Sequence, residues 1–220
     1  VHSSMARILG IPGKRFHGLS MDSRYKLILN LLPLISDNFS HASNRIITIT
    51  HVGHLLSTRH VGSSQLGKAI LEILLHAIKA EKGLIALEKS DPTKVTVIAT
   101  EGFSEPEDIL YKTYPRGTNP IIDTVMDSAK SLNLREEEYR NTQHKATYAK
   151  KSVIVVPLQA EDMTVGVLML VDKKTDMGFT TNNETLLNII AKMIGVGLLQ
   201  SEAHEIQEAE QELKHEYISM

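Results

Sequence analysis

Apolar residues recur at intervals of three and four positions from Ser20 to about Leu56, a pattern that predicts amphipathic helix. Pro33 interrupts this pattern. Because an internal proline removes a hydrogen-bond donor and clashes with the preceding turn, we expect a break or kink there. The apolar positions of the two resulting helices are Tyr25, Ile28, Leu29 and Leu32 in the first, and Ile46, Ile49, Val52 and Leu56 in the second.

The widest apolar stripe of the chain begins after Ser63 or Ser64, and either serine is suited to cap a helix. The stripe continues to Gly83, where a glycine commonly ends a helix. Because apolar residues occupy most of its circumference, we expect this helix to be buried on most of its surface. Its apolar positions are Leu66, Ala69, Ile70, Leu71, Ile73, Leu74, Leu75, Ala77 and Ile78.

Two more helices are predicted nearer the C-terminus. The first is short and is capped by Thr118 or Asn119, with Pro120 at its first position, where a proline costs least. The second is long, begins at about Thr181 and is capped by one of the two asparagines that follow. Its residues that are expected to face the core are Leu186, Leu187, Ile190, Met193, Ile194 and Leu198.

Runs of β-branched and other apolar residues predict two hairpins, one formed by residues 84–88 and 94–100 and one by residues 152–159 and 163–171. A fifth strand is predicted near residues 132–134. Strands that are joined as hairpins lie antiparallel. We therefore predict an α+β fold: an antiparallel sheet of about five to six strands, helices packed on one face, and long helices at the N- and C-termini.

Charge and composition narrow the classes of function. The formal net charge of −2 and the lack of a dense basic cluster argue against nucleic-acid binding. The chain contains no cysteine, which excludes disulfides, thiolate zinc sites and a cysteine nucleophile. No stretch reaches the ~18 consecutive apolar residues of a membrane span. We therefore expect a cytoplasmic protein that binds neither a membrane nor nucleic acid.

The ten histidines raise the question of a metal site. His51 and His54 share a helical face and His60 follows, but no acidic residue lies at a regular spacing from them, so we predict no metal site. The sequence also lacks a nucleophile elbow, a phosphate-binding glycine loop and a metal-hydrolase motif. We expect a regulatory module and not an enzyme, and a hydrolase of an unrecognised type is the remaining enzymatic alternative. The residues specify no cofactor.

Residues 152–158, which read SVIVVPL, and residues 165–170, which read VGVLML, resemble the hallmark of the GAF domain family. That hallmark is a hydrophobic strand with proline-leucine, a turn, and a strand with valine-glycine-valine-leucine. The tripeptide at residues 178–180 is similar to the family's entry into its last helix. The resemblance covers roughly residues 45–200. It implies a sensory or regulatory domain of a signalling protein, and it specifies the fold better than the function.

Cyclic-nucleotide-binding members of this family carry a spaced asparagine, lysine, phenylalanine, aspartate and glutamate. The similar positions here read Asp172, Lys173, Phe179, Asn183 and Glu184, so aspartate and asparagine have exchanged places. One interpretation is a tie between Asn183 and either Asp172 or Lys173, and the other is a helix cap beside a surface lysine. Phe179 is expected to be buried where the last strand meets the final helix. The bilin-binding and methionine-sulfoxide-reducing branches of the family rely on cysteines, which this chain lacks.

A small-molecule pocket is expected beside the short helix, because its first turn presents backbone N–H groups that suit an anion. The resemblance implies that this region and residues 140–150 close over the pocket. The predicted ligand-binding residues are Phe103, Tyr114, Arg116, Thr118, Asn119, Ile122, His144 and Tyr148. The alternative is an ordinary capped helix beside a surface loop.

The chain is predicted to divide into four segments. Residues 1–19 form a tail that begins with the remnant of an expression tag, and residues 20–44 form a helical extension. Residues 45–200 form the GAF-like sensory domain, and residues 201–220 form a connecting helix that leads to an output domain outside this sequence.

The connecting helix carries Leu199, Ile206 and Leu213 at seven-residue spacing, which predicts a homodimer through the terminal helices. We expect the domain to bind a small molecule, for example a nucleotide or cyclic nucleotide, and to transmit its state through these helices. The alternative is a homodimerisation scaffold that binds no ligand.

Overall fold

The computed structural model describes residues 13–57, 62–89, 91–141, 149–175 and 178–218. The helices are α1 (Gly13–His17), α2 (Met21–Ser57), α3 (Ser63–Ile78), α4 (Pro120–Ser128), α5 (Glu136–Asn141) and α6 (Thr181–Ile218), with a short 3₁₀ helix at Pro106–Asp108. The strands are β1 (Ala80–Glu88), β2 (Lys94–Glu101), β3 (Thr113–Pro115), β4 (Leu132–Leu134), β5 (Val153–Ala160) and β6 (Met163–Lys173). Internal contacts divide the chain into a first unit, Val1–Arg45, and a second unit, Ile46–Met220.

Helix α2 is one continuous helix of 37 residues, so the prediction of two helices separated at Pro33 is wrong. The helix begins after Ser20, whose hydroxyl accepts a hydrogen bond from the backbone N–H of Ser23 at 3.2 Å. Pro33 lies inside α2 and is exposed. A proline removes only one N–H from the helical ladder. The turns on both sides of Pro33 remain helical, so this single loss does not end the helix.

The six strands form one sheet in the order β3-β2-β1-β6-β5-β4, and every neighbouring pair is antiparallel. This confirms the predicted α+β fold and the predicted strand near residues 132–134. The edge strand β3, which pairs with residues 94–96 of β2, was not predicted from the sequence.

Apolar side chains fill both faces of the sheet. The first core lies between the sheet and helices α3 and α6, with Val52 of α2 also buried in it. The second core lies on the opposite face, where Ile121, Ile122, Val125 and Met126 of α4 pack against the sheet. The long helices thus lie on one face, and the structure adds the short helix α4 on the other.

Helix α3 ends earlier than its apolar pattern predicts. Its last residue is Ile78, and Lys79 adopts the left-handed conformation and donates its N–H to the carbonyl of Leu75. Gly83, which was expected to end this helix, lies inside β1, where a Cβ would come within 2.9 Å of side-chain carbons of Leu71 and Leu170. The position before the helix is Gly62, with no side-chain cap, so the predicted serine cap is also wrong.

Two residues in the second hairpin explain how β5 and β6 pack. Pro157 pairs with Val167 of β6, whereas β4 pairs only with residues 153–155 of β5. At Pro157, β5 is therefore the edge of the sheet, where a residue without an N–H is tolerated. Gly166 lies opposite β1, and a Cβ there would come within 2.2 Å of the backbone oxygen of Ala86. The glycine thus serves backbone packing.

Helix α6 begins at Thr181, as predicted, but the residue before it contributes to the cap. The hydroxyl of Thr180 accepts a hydrogen bond from the N–H of Asn183 at 3.3 Å, and the side-chain oxygen of Asn183 accepts from the N–H of Thr180 at 3.1 Å. This reciprocal arrangement is a capping box. It fixes the start of α6 at the end of the segment that follows β6.

Candidate functional site

The predicted ligand-binding residues within the described part of the chain lie on the α4 side of the sheet. Ile122 is buried in the second core, and Phe103 and Tyr114 are half-buried against it. Arg116, Thr118 and Asn119 precede and cap α4 at the rim of this core. His144 and Tyr148 lie outside the described residues. The structure therefore brings six of the predicted residues to one region, and their role in binding stays a prediction.

The guanidinium group of Arg116 is surrounded by three carboxylates. It lies 3.2 Å from the Glu88 carboxylate and 3.4 Å from that of Asp123, and it also pairs with Asp127. These contacts tie the end of β1 to α4. An anionic ligand at Arg116 would have to compete with these carboxylates, so the arrangement favours a structural role for Arg116.

The first turn of α4 is capped by its own side chains. The side-chain oxygen of Asn119 accepts a hydrogen bond from the N–H of Ile122 at 3.4 Å. The carboxylate of Asp123 accepts from the N–H of Asn119 at 3.1 Å. This confirms Asn119 as the cap. Two of the N–H groups that were expected to meet an anion are thus already bonded within the protein.

The aromatic side chains beside α4 each lie near a lysine. The Lys82 ammonium is 5.8 Å from the centre of the Phe103 ring, and the Lys112 ammonium is 5.9 Å from that of Tyr114. Burial raises the pKa of the Tyr114 phenol above its usual value of 10.0. The region therefore offers neutral ring faces beside positive charge, which suits a planar or anionic small molecule.

A second group of polar residues gathers where β6 leads into α6, and we call it the β6–α6 junction. Asp172 is buried at this junction, with a positive φ of 55°. Its carboxylate accepts hydrogen bonds from the N–H groups of Lys150, Lys151 and Ser152, at 2.9, 2.7 and 3.4 Å. The carboxylate thereby holds the chain that enters β5 against the end of β6.

Lys173 is a buried lysine whose ammonium contacts neutral groups. It donates to the carbonyl of Ile78, at the end of α3, and to the side-chain oxygen of Asn183 at 2.9 Å. It also lies 5.8 Å from the centre of the Phe179 ring. Burial, with a smaller contribution from the charge of Lys79, lowers the pKa of Lys173 below 10.5. The structure combines the two interpretations of the motif: Asn183 is tied to Lys173 and also belongs to the capping box of α6, while the lysine is buried and does not lie on the surface.

The asparagine at position 183 leads to a testable prediction. Asn183→Asp places a carboxylate beside the Lys173 ammonium and at the positive end of α6, so we expect the free energy of unfolding to rise by ~1–2 kcal/mol. Chemical denaturation at neutral pH measures this difference. Asn182→Asp, at an exposed neighbouring position, is the matched control and should change stability by less than ~0.5 kcal/mol. An equal or lower stability of Asn183→Asp would contradict the described tie.

The same pair should affect how stability depends on pH. Because the folded pKa of Lys173 is lowered, the unfolded chain binds more protons between that value and 10.5. The contribution of Lys173 is therefore fully present above 10.5 and is lost as the pH falls through the lowered folded pKa. We expect the rise in stability across this alkaline range to be smaller in Asn183→Asp, whose carboxylate favours the charged lysine.

Side chains of β4 and of the residue before it donate hydrogen bonds to the β6–α6 junction. Asn133 donates its side-chain N–H to the carbonyl of Phe179 at 3.2 Å, and Ser131 donates its hydroxyl to the Glu184 carboxylate. Among the residues that the structure describes, the side-chain oxygen of Asn133 is the one buried polar side-chain atom without a hydrogen-bond partner. No local pattern pointed to Ser131 or Asn133, because these residues lie about 50 positions from their partners.

A cleft of about 670 Å³ opens beside the junction. Its walls carry both acidic and basic side chains. The lining residues are Arg135, Glu136, Glu137, Glu138, Lys151, Ser152, Thr175 and Gly178. Its volume lies within the usual range for small-molecule sites, roughly 300–1,000 Å³. The sequence missed this cleft, because its residues come from three separate segments.

The described part of the chain shows neither a metal-binding cluster nor a membrane-spanning helix. No group of three or more histidine, aspartate or glutamate side chains is placed to hold a metal ion there. None of the described helices is both long enough and apolar enough to span a membrane.

Comparisons with known proteins agree with this architecture. The family model described as GAF domain matches residues 64–198. The GAF domain of an Acinetobacter phosphoenolpyruvate-protein phosphotransferase is similar in structure, with a TM-score of 0.61 at 15% identity over 72% of this chain and 94% of that one. The corresponding Coxiella burnetii domain gives a TM-score of 0.63 at 14% identity, over 75% and 98%. A search of curated protein sequences finds no match.

Enzymes also occur among the similar structures. The free methionine-R-sulfoxide reductase of Neisseria meningitidis, solved in complex with its substrate, gives a TM-score of 0.58 at 14% identity, over 71% of this chain and 89% of that one. At this identity the likeness shows the fold alone. The present chain contains no cysteine.

Proposed function

Because the chain belongs to the GAF domain family, we propose that it is a signal-sensing regulatory domain of a cytoplasmic signalling protein. In this proposal it binds a small molecule, for example a nucleotide, and it catalyses no reaction. Its terminal helices transmit the bound or free state to an output domain. GAF domains commonly serve as regulatory modules, and the similar neisserial enzyme shows that this fold can hold a small molecule.

The observation that carries the proposal is the continuity of α6. Its first part closes the first core with Leu187, Ile190, Ile194 and Leu198, which are all buried. Beyond Leu199 the same helix continues to Ile218, a further ~28 Å at 1.5 Å per residue. A displacement of α6 at the sheet is therefore carried along a rigid helix to whatever follows it.

The β6–α6 junction supplies the link between the sheet and this helix. Lys173 connects the end of α3 to Asn183 in the first turn of α6, and Asn133 connects β4 to Phe179, two residues before α6. A ligand that binds one arrangement of these elements more tightly than another would shift the start of α6. Only such a difference in affinity can change the population of the two states.

An apolar face on the outside of α6 supports the proposed homodimer. Ile189, Val196 and Ile206 are 40%, 43% and 55% exposed. Together with the exposed Ala203 and with Leu199, which is partly buried against the first core, they occupy alternating positions of a seven-residue repeat, and we call these five residues the α6 seam. Ile46 and Ile47 of α2 add exposed apolar surface within the same unit.

Glycines bring α2 and α6 close together in the second unit. A Cβ at Gly53 would lie 3.3 Å from the side chain of Met193, and one at Gly197 would lie 2.4 Å from that of Leu56. Because residue numbers increase in the same direction on both helices, the two helices run parallel. In the proposed dimer, two α2–α6 pairs form a four-helix bundle.

We expect charges in the α6 seam to weaken the homodimer. Leu199→Asp combined with Ile206→Asp should raise the dimer dissociation constant at least ~10-fold, because two carboxylates per chain would be buried in the interface. Sedimentation velocity at micromolar concentrations measures this. Gln200→Asp combined with Gln207→Asp adds the same charges about 100° around the helix and should have a much smaller effect. A monomeric unmodified protein, or an unchanged dissociation constant in the seam variant, would contradict the proposal.

Ligand binding is tested by melting temperature. A compound at one hundred times its dissociation constant stabilises the folded state by ~2.7 kcal/mol, which corresponds to roughly 5–10 °C for a chain of this size. Cyclic AMP, cyclic GMP, ATP and free amino acids are suitable probes. Tyr114→Ala should abolish the shift if the ligand lies beside α4, and Arg135→Ala should abolish it if the ligand lies in the cleft. If no compound raises the melting temperature, the ligand-binding part of the proposal fails.

The second candidate function is a homodimerisation scaffold without a ligand. The dense packing of the second core favours it, since Ile121, Ile122 and Val125 of α4 are at most 3% exposed against the sheet. The two candidates share the α6 seam and differ in the melting-temperature experiment. The scaffold predicts a dimer whose stability no small molecule changes.

A further inference from the structure

The first unit presents a second apolar face, separate from the α6 seam. It lies on α2 and alternates between intervals of four and three residues. Its members, which we call the α2 seam, are Met21, Tyr25, Ile28, Leu32, Ile35, Phe39 and Ala42. The seam spans 22 residues, about three repeats of seven, which is the length at which such a pattern indicates a coiled coil.

The α2 seam is open in this structure. Its six large side chains are between 46% and 78% exposed. No described side chain of residues 15–45 is buried. Leu29 and Leu31 lie beside the seam and are 46% and 42% exposed. A continuous apolar face of this size on a soluble helix marks an interaction surface.

The charges of α2 leave the seam free. Asp22 and Lys26 pair with each other at 2.8 Å, one turn apart and outside the seam. The guanidinium of Arg24 turns back to the carbonyls of His17 and Leu19, at 2.7 and 2.9 Å. Pro33 follows a seam residue and lies about 100° away from it on the helix. The seam itself contains no charged side chain, so an identical seam can face it without burying a charge.

The exposed area is sufficient for pairing between two chains. The six large side chains of the seam, together with Leu29 and Leu31 beside it, each expose on the order of 100 Å², which gives roughly 800 Å² per chain. A standard protein–protein interface buries about 800 Å² on each partner. A partner that is itself an α2 seam matches this face in length, spacing and lack of charge.

We propose that the α2 seam pairs with the α2 seam of a second copy, with the two helices parallel and in register. This inference rests on the proposed homodimer and adds a second contact to it. In a parallel pair, both copies of α2 run in the same direction. Like residues then meet across the seam, so that Ile28 of one chain lies beside Ile28 of the other.

Cysteine cross-linking tests the pairing directly, because the chain contains no cysteine. Full-length Ile28→Cys and Ile35→Cys variants should both form disulfide-linked dimers with oxidised glutathione, about tenfold faster than Asn30→Cys on the opposite side of the helix. In an antiparallel pair, at most one of these two positions can lie beside the same position of the second chain. Cross-linking of only one position, or rates equal to that of Asn30→Cys, would overturn the proposal.

A second measurement separates the two seams. Leu32→Asp should raise the dimer dissociation constant at least ~10-fold, and the exposed Asn30→Asp should leave it unchanged. Circular dichroism confirms that both variants remain folded. If the cysteines link but the α6 seam variant dimerises normally, the α2 pairing stands and the proposed α6 interface fails. If the α6 variant dissociates while neither cysteine links, the α2 inference alone fails.

Discussion

Phe179→Ala is expected to lower the free energy of unfolding by ~3–5 kcal/mol. The side chain is completely buried in the first core, at the point where the segment after β6 enters α6. Removing the ring leaves a cavity lined by core residues, and it also removes the aromatic face beside the Lys173 ammonium. The loss therefore combines apolar burial with a weaker environment for a buried positive charge.

Phe103→Ala is the matched control for this experiment. Phe103 is only half-buried, at the margin of the second core, so its loss should cost clearly less. Chemical denaturation of both variants, analysed with a common slope, gives the comparison. A loss below ~1 kcal/mol for Phe179→Ala is the range of ordinary surface substitutions, and it would show that this residue does not anchor the junction.

Asp172→Ala is also expected to have a large effect and to lower the free energy of unfolding by ~2–4 kcal/mol. The substitution removes the carboxylate that accepts hydrogen bonds from three consecutive N–H groups at the entry to β5. It also places alanine at a positive φ of 55°, a conformation that aspartate and asparagine tolerate better. Both changes act on the same turn, so we expect a loss larger than that of a single surface hydrogen bond.

Asp172→Asn separates these two causes. Asparagine tolerates the left-handed backbone and keeps one acceptor oxygen, so it should retain at least half of the stability that alanine loses. Hydrogen exchange of the Lys151 and Ser152 amides reports the contact locally, and both should exchange faster in the alanine variant. Unchanged exchange at both amides would mean that the carboxylate does not hold this segment.

Local patterns in the sequence predicted most of the helices and strands. The continuous apolar runs of β5 and β6 and the cap at Asn119 follow from neighbours within a few positions, whereas the burial of Phe179 was expected from the resemblance to the GAF family. Two errors arose where a local signal was overridden. Pro33 does not end α2, and Gly83 serves the packing of β1 against α3 rather than the end of a helix.

The candidate site was harder to predict because its contacts join distant segments. Arg116 was expected to face a ligand, yet one of its partners is Glu88, 28 positions earlier. Asp172 was considered as a partner of the Asn183 side chain, yet its carboxylate accepts hydrogen bonds from backbone N–H groups about 20 positions away. A charged residue in a sequence shows that it needs a partner, and only the fold determines which group supplies it.

The most direct test of the regulatory account is the distance between the two copies of α6. A spin label on Gln200→Cys, in the otherwise cysteine-free homodimer, reports this distance by pulsed electron paramagnetic resonance. If α6 transmits the ligand state, we expect a defined distance between the chains that changes when the compound with the largest effect on melting temperature is added. The absence of any distance between chains, or the same distance with and without a compound that binds, would contradict it.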